Sequence, residues 1–208
     1  MSLSARIIPL VVTSLVTLLI AGCSGSSQRT NSDVATLEER LEPGDLIFRR
    51  GTGVVGHIVT SVDNSGEYSH VGIAVLKDEE WCVVHAVPHE PDFEGDIDRV
   101  KCEALESFVG RYRDGTVGHY RVCAEPELRA RVADNALRLS RMNVPFDHDY
   151  NLEDSTAFYC TELVEYLYLQ YGISLSEGRR TEVNFPSLSG RYIMPSDITE
   201  STKLRPIY

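Results

Sequence analysis

Along the 208-residue chain the spacing of apolar positions changes several times, and each change predicts an element. Leu46-Ile47-Phe48 is a short apolar run behind the turn residues Pro43-Gly44-Asp45, and predicts a strand. Residues 68–76, YSHVGIAVL, and 81–87, WCVVHAV, have the small and apolar residues of core strands. Asp78-Glu79-Glu80 between them predicts a hairpin turn, so the two strands should be antiparallel neighbours. Gly51-Thr52-Gly53 and Gly56 form a glycine-rich loop without the Lys-Ser/Thr ending of a phosphate-binding loop, and read as loop only. Residues 99–105 fit a strand then a turn, 107–112 a short helix, and 118–123 another strand. The period then lengthens. Leu128, Val132, Ala136, Leu139 and Met142 fall on one face of a helix over 125–142, with Pro126 in its first turn. After a polar loop over 143–158, Cys160, Leu163, Val164, Leu167 and Tyr171 share one side of a helix over 159–171 that Gly172 ends. The tail over 173–208 carries Pro186, Pro195 and Pro206 and reads as mostly irregular, wrapped on the domain. Strands, two helices and a wrapping tail indicate an α+β domain with an antiparallel sheet or partial barrel.

Ahead of this domain the pattern differs. Arg6 is the only charge before Arg29, and residues 7–20 read IIPLVVTSLVTLLI. A short positive region followed by an apolar stretch has the form of an export signal. A spanning helix needs about 20 apolar residues, so this stretch is short for one. It ends in Ile20-Ala21-Gly22-Cys23, which resembles the lipobox read by bacterial lipoprotein signal peptidase. The competing reading is an ordinary signal peptide with a chance cysteine. The resemblance implies a signal over residues 1–22 and a lipidated Cys23. A flexible Ser-rich tether then runs over 23–33, and the domain over 34–208. Two or three acyl chains such as palmitate would anchor it stably to a membrane. Ser24, with no Asp after Cys23, resembles the enterobacterial pattern for the outer membrane, facing the periplasm.

The net charge of −11 becomes −12 once the signal is removed, because Arg6 is the only charge lost. Such a surface argues against nucleic acid and against electrostatic attachment to anionic lipid. Outside the cytosol, Cys82, Cys102, Cys123 and Cys160 form an even set compatible with disulfides. No Cys-x-x-Cys occurs, and His85 and His89 do not share a helix, so no metal site or cofactor is expected. Nothing in the sequence sets the oligomeric state.

Cys160 stands at the start of a helix, where backbone N–H groups and the dipole favour a thiolate. A thiol nucleophile needs a base, and His70 in the strand Tyr68 to Ile73 is the natural candidate. A third polar group that fixes the base's tautomer completes such a set. His85, in the apolar run Val83-Val84-His85-Ala86, can be placed beside His70 by the hairpin. Taken singly, a cysteine on an apolar helix face is ordinarily a core thiol, and a strand histidine a hydrogen-bonded structural group. Cys160 could also be held in a disulfide.

Four segments together resemble the NlpC-type, papain-like cysteine hydrolases, in the circularly permuted YiiX/YebB-like branch. They are Gly44-Asp45-Leu46-Ile47-Phe48, Ser69 to Ile73, Val84-His85-Ala86 and Tyr159 to Val164, with Pro145-Phe146-Asp147 before the last. The resemblance implies a permuted papain-like fold with Cys160 as nucleophile, His70 as base and His85 as the third member. In that branch the third member is commonly Glu, and Thr161 stands where Ser is usual. The activity implied is cleavage of amide or ester bonds, in peptidoglycan stem peptides or in lipid acyl groups. An open cleft lined by Arg would favour the peptide, and an apolar slot the acyl group. A non-catalytic binding lipoprotein of the same fold is the rival reading.

Overall fold

The computed structural model describes residues 34–51, 54–63, 66–111, 117–185 and 188–208. The signal, Cys23 and the tether lie outside these residues. Among the described residues no helix is long and apolar enough to cross a membrane.

Six strands form one antiparallel sheet: β1 (Leu46–Arg49), β2 (His70–Lys77), β3 (Glu80–Val87), β4 (Arg99–Ala104), β5 (Gly118–Val122) and β8 (Leu204–Pro206). Their spatial order is β4-β3-β2-β1-β5-β8, an open sheet rather than a closed barrel. The β2–β3 hairpin lies where the alternating pattern placed it, with Ile73 opposite Val84 and Lys77 opposite Glu80. Its turn is tight enough that Asp78 and Glu79 both take positive φ, 51° and 69°.

Both faces of the sheet are covered, so its central strands are apolar on both sides. On one face, Leu46, Phe48, Val71, Ile73 and Val84 pack under α3 (Pro126–Arg141) and α4 (Cys160–Leu169). In α3, Val132, Ala133, Ala136 and Leu139 supply the buried stripe. Glu127 in its first turn and Arg138 and Arg141 in its last complement the helix dipole. α4 is buried almost all round: Leu163, Val164 and Leu167 face the core, and the Tyr168 hydroxyl donates to the Gly44 carbonyl at 2.6 Å. On the other face, Ile47, Ala74 and Val83 pack with Phe108 and Val109 of α2 (Leu105–Gly110).

Two sequence expectations are corrected. The segment read as glycine-rich loop only continues into a helix, α1 (Val54–Val62). Its valines and isoleucine have modest helix propensity, and tertiary packing overrides that. The tail read as mostly irregular contains a hairpin, β6 (Thr181–Phe185) with β7 (Leu188–Tyr192), then α5 (Pro195–Thr199) and β8. The backbone N–H and hydroxyl of Ser196 both donate to the Asp63 carboxylate, which ties the tail to the end of α1. At one sheet edge β8 pairs with β5 through Arg205 opposite Arg121. At the other, the segment 144–146 lies along β4: the Val100 N–H donates to the Val144 carbonyl at 2.8 Å, and Arg99 faces Pro145.

Candidate active site

Cys160 is the first residue of α4, where the chain leaves the extended residue Tyr159. Thr161 donates its hydroxyl to the Ile193 carbonyl at 2.6 Å, and the Ile193 N–H donates to the Tyr159 hydroxyl at 3.1 Å. These two bonds clamp the helix start to the tail. Glu162 accepts the Tyr159 N–H at 3.1 Å, so it acts as a helix-capping group; burial raises its carboxyl to about 8.

His70 opens β2 and His85 sits in β3, both buried. His70 Nε2 lies 2.9 Å from His85 Nδ1. The close approach depends on Gly72: a Cβ there would come within 2.4 Å of a Val83 methyl and 3.0 Å of the His85 Cβ. His85 Nε2 in turn faces Glu103 Oε2 at 3.4 Å. Glu103 Oε1 accepts from Arg111 Nε at 2.8 Å and Nη2 at 2.5 Å. The Phe108 ring covers both imidazoles, with centroids 5.8 Å from His70 and 5.0 Å from His85. Arg49 completes the surroundings. It stacks on Phe108 at 4.7 Å and is held by Glu90 at 2.7 Å.

His70 belongs to both sides of this arrangement. Its ring meets His85 under α2, and it also lines a cavity of about 240 Å³ with Cys160. Ile58 and Val59 of α1 form one wall of that cavity, and Phe146, Tyr150, Tyr192 and Met194 another. Among the described residues no Arg, Lys, Asp or Glu lines it.

Burial, with the positive charges of Arg49 and Lys101 and the His85 ring, holds the His70 pKa well below its usual value. Burial lowers His85 as well, against the pull of Glu103. Both imidazoles are therefore neutral at pH 7. Burial pushes the Cys160 thiol up to about 11, although N–H groups of Val71, Thr161 and Cys160 itself and the Arg49 charge oppose this. The sequence position at a helix start predicts a thiolate, but enclosure outweighs the dipole, and the resting pair is thiol and neutral imidazole. All four described cysteines are free.

The structure thus brings Cys160, His70 and His85 into one site. Tyr68, two residues before His70, does not line the cavity; its ring packs in the core against Phe48, tilted, at 5.4 Å. Asp147 shapes a turn by accepting the N–H groups of Asp149 and Asn151. The sequence pattern did not single out Glu103 and Arg49, nor Ile58 and Val59, which follow the glycine-rich stretch. Tyr192 to Met194 were noted only as packed tail.

No curated protein matches the chain. Among solved structures it is similar to the crystal structure of metalloprotein yiiX from Escherichia coli O157:H7, with a TM-score of 0.66 and 20% identity. That similarity covers 80% of this chain and 96% of the other and shows a shared fold. The other protein is described as a metalloprotein; among the described residues here, no group of three or more His, Cys, Asp and Glu could hold a metal ion. Over residues 40–205 the chain matches the permuted papain-like amidase enzymes, YaeF/YiiX, C92 family. It belongs to that family, and its activity is of the cysteine-hydrolase, amidase type.

Proposed function

We propose that this protein is a membrane-anchored thiol hydrolase that cleaves the amide or ester bond at the head of an apolar acyl chain. Cys160 is the nucleophile, His70 the base, and His85 orients His70. The observation that carries the substrate class is the cavity beside the thiol, walled by Ile58, Val59, Phe146, Tyr150, Tyr192 and Met194. A stem peptide brings carboxylates and ammonium groups that would need charged partners, whereas an acyl chain needs only apolar surface.

The chemistry follows from the neutral resting pair. As the Cys160 sulfur attacks the carbonyl carbon, its proton passes to His70 and the carbonyl electrons move onto oxygen. The Cys160 N–H at the helix start would donate to that oxyanion. His70 then returns the proton to the leaving amine or alcohol, and an acyl-thioester remains. Water, deprotonated by His70, attacks the thioester and releases the acid and the free thiol. Proton transfer coupled to attack removes the need for a preformed thiolate.

An acyl-ester series of increasing chain length tests the substrate class. Each added methylene buried in the slot contributes ~0.8 kcal/mol, about fourfold in kcat/KM, until the cavity is full. A flat series, together with cleavage of a stem-peptide amide, would overturn the acyl reading.

The anchor rests on Ile20-Ala21-Gly22-Cys23 and the Ser-rich stretch behind it. An outer-membrane attachment facing the periplasm would hold the slot near its lipid. Cys23→Ala is expected to abolish incorporation of labelled palmitate in bacterial cells. Continued incorporation into that variant removes the anchor from the proposal.

A further inference from the structure

The two histidines leave one question of proton placement that a third side chain answers. A neutral imidazole has one N–H and one lone pair, and a hydrogen bond at one nitrogen decides the other. Two histidines in series can therefore point either way. His70 Nε2 and His85 Nδ1, 2.9 Å apart, share one proton, and either ring could supply it. Only one direction leaves His70 with a free lone pair at Nδ1, its remaining nitrogen, to receive a proton from a thiol.

Glu103 breaks this symmetry. It lies on β4, where Lys101 is the direct partner of His85, so Glu103 is the diagonal neighbour on the same face of the sheet. Its Oε1 is taken by two N–H groups of Arg111. Its Oε2 faces His85 Nε2 at 3.4 Å, and among the described residues neither of these buried atoms has another hydrogen-bond partner. The separation exceeds the usual ~2.9 Å, but among the described residues each atom is the other's sole recourse. Burial raises the Glu103 carboxyl, yet hydrogen bonds from His85 and Arg111 outweigh this and hold it at about 2. It is thus an ionised, acceptor-only group at any working pH, and His85 Nε2 must carry the proton that faces it.

We infer that Glu103 is a positioning residue: through His85 it sets the direction of the histidine pair and leaves Nδ1 of His70 as the basic nitrogen. The His85 N–H donates to Glu103, His85 Nδ1 accepts from His70 Nε2–H, and His70 Nδ1 is unprotonated. Arg111, also paired with Glu90 at 3.2 Å, fixes which carboxylate oxygen is left for His85. This inference rests on the Cys160–His70 reading only for its effect on turnover; the tautomers themselves are a separate fact about the protein.

Glu103→Gln is the informative variant because it keeps the size of the side chain. Its amide oxygen must face Arg111, which only donates, so its NH2 is turned to His85 Nε2. That nitrogen then has to accept, both histidines reverse, and Nδ1 of His70 becomes N–H. Long-range 1H–15N correlation spectra of 15N-histidine protein read the tautomers directly. The expected result is Nδ1-unprotonated rings for His70 and His85 in the native protein and reversed rings in Glu103→Gln. A fall in kcat of at least 100-fold with KM little changed is expected beside it. A carboxylate-to-amide change behind a catalytic histidine elsewhere costs about 10⁴ for the same reason. Unchanged tautomers in Glu103→Gln would overturn the inference, as would turnover within threefold of native when the rings do reverse and Cys160→Ala is inactive. If Cys160→Ala stays active, the hydrolase reading fails instead, and the spectra alone decide the role of Glu103.

Discussion

Cys160→Ala is expected to lower kcat on an acyl ester by roughly 10⁴–10⁶-fold, the usual cost of deleting a nucleophile. Its melting temperature should move by only a few degrees, because one sulfur atom at a cavity wall contributes little packing. The pairing of a large kinetic loss with a small thermal one is the point of the experiment. Calorimetry and turnover on the same preparation read both. Cys160→Ser keeps a proton that His70 could take, but a hydroxyl is a poorer nucleophile than a thiol, so it should also be slow. Activity in Cys160→Ala above a hundredth of native would sink the nucleophile assignment.

The largest stability loss is expected far from that cavity, at the opposite end of β1. Asp45 is fully buried and accepts four polar hydrogens: the Glu42 N–H at 2.9 Å, His119 Nε2 at 2.7 Å, and Arg121 Nε and Nη2 at 2.8 and 2.7 Å. Beside it, Glu42 bridges Arg121 and Arg129. Asp45→Ala takes from the buried Arg121 guanidinium the carboxylate that accepts two of its N–H groups, and losing one partner of a buried pair costs about 3–5 kcal/mol. For a domain of this size that is roughly 6–20 °C in melting temperature. The loss should shrink on acidification. Burial raises the Asp45 carboxyl, but Arg121 and His119 outweigh it and the folded pKa lies below 3.8. Its contribution is thus present above pH 3.8 and lost as pH falls through the folded value. Arg121→Met in the same background should restore part of the stability. Asp45→Ala within 1 kcal/mol of native at pH 7 would show that the cluster is not the tie it looks to be.

These two sites were unequally legible in the sequence. The β2–β3 hairpin and both long helices followed from alternation and from the 3.6-residue period, because each buries a continuous apolar face. Cys160, His70 and His85 stood out because they are polar residues inside such runs. Glu103 did not, since β4 reads Arg-Val-Lys-Cys-Glu-Ala and its charges suggest a solvated face. In fact Lys101 and Glu103 are buried, with Lys101 held by the Glu90 carbonyl at 2.6 Å and by Asp92 at 2.7 Å. Alternation marked the two faces of β4 but could not say which was inside. α1 and the tail hairpin were missed for a related reason. They are short, rich in β-branched residues or prolines, and stabilised by long-range ties such as Asp63 to Ser196 that no local pattern encodes. The cavity, built from α1, the 146–150 segment and the tail, was therefore the least legible part of the site.

A sheet with two free margins ordinarily invites a neighbour's backbone to pair with it. Here both margins are blunted. β8 is three residues long, includes Arg205, and ends at Pro206, which has no N–H to offer a ladder. At the other margin the Val100 N–H is already spent on Val144, and Pro145 blocks the place opposite Arg99. The segment that delivers Phe146 to the cavity wall also protects that side of the sheet from strand addition, so the residues that shape the slot help to keep the protein from aggregating.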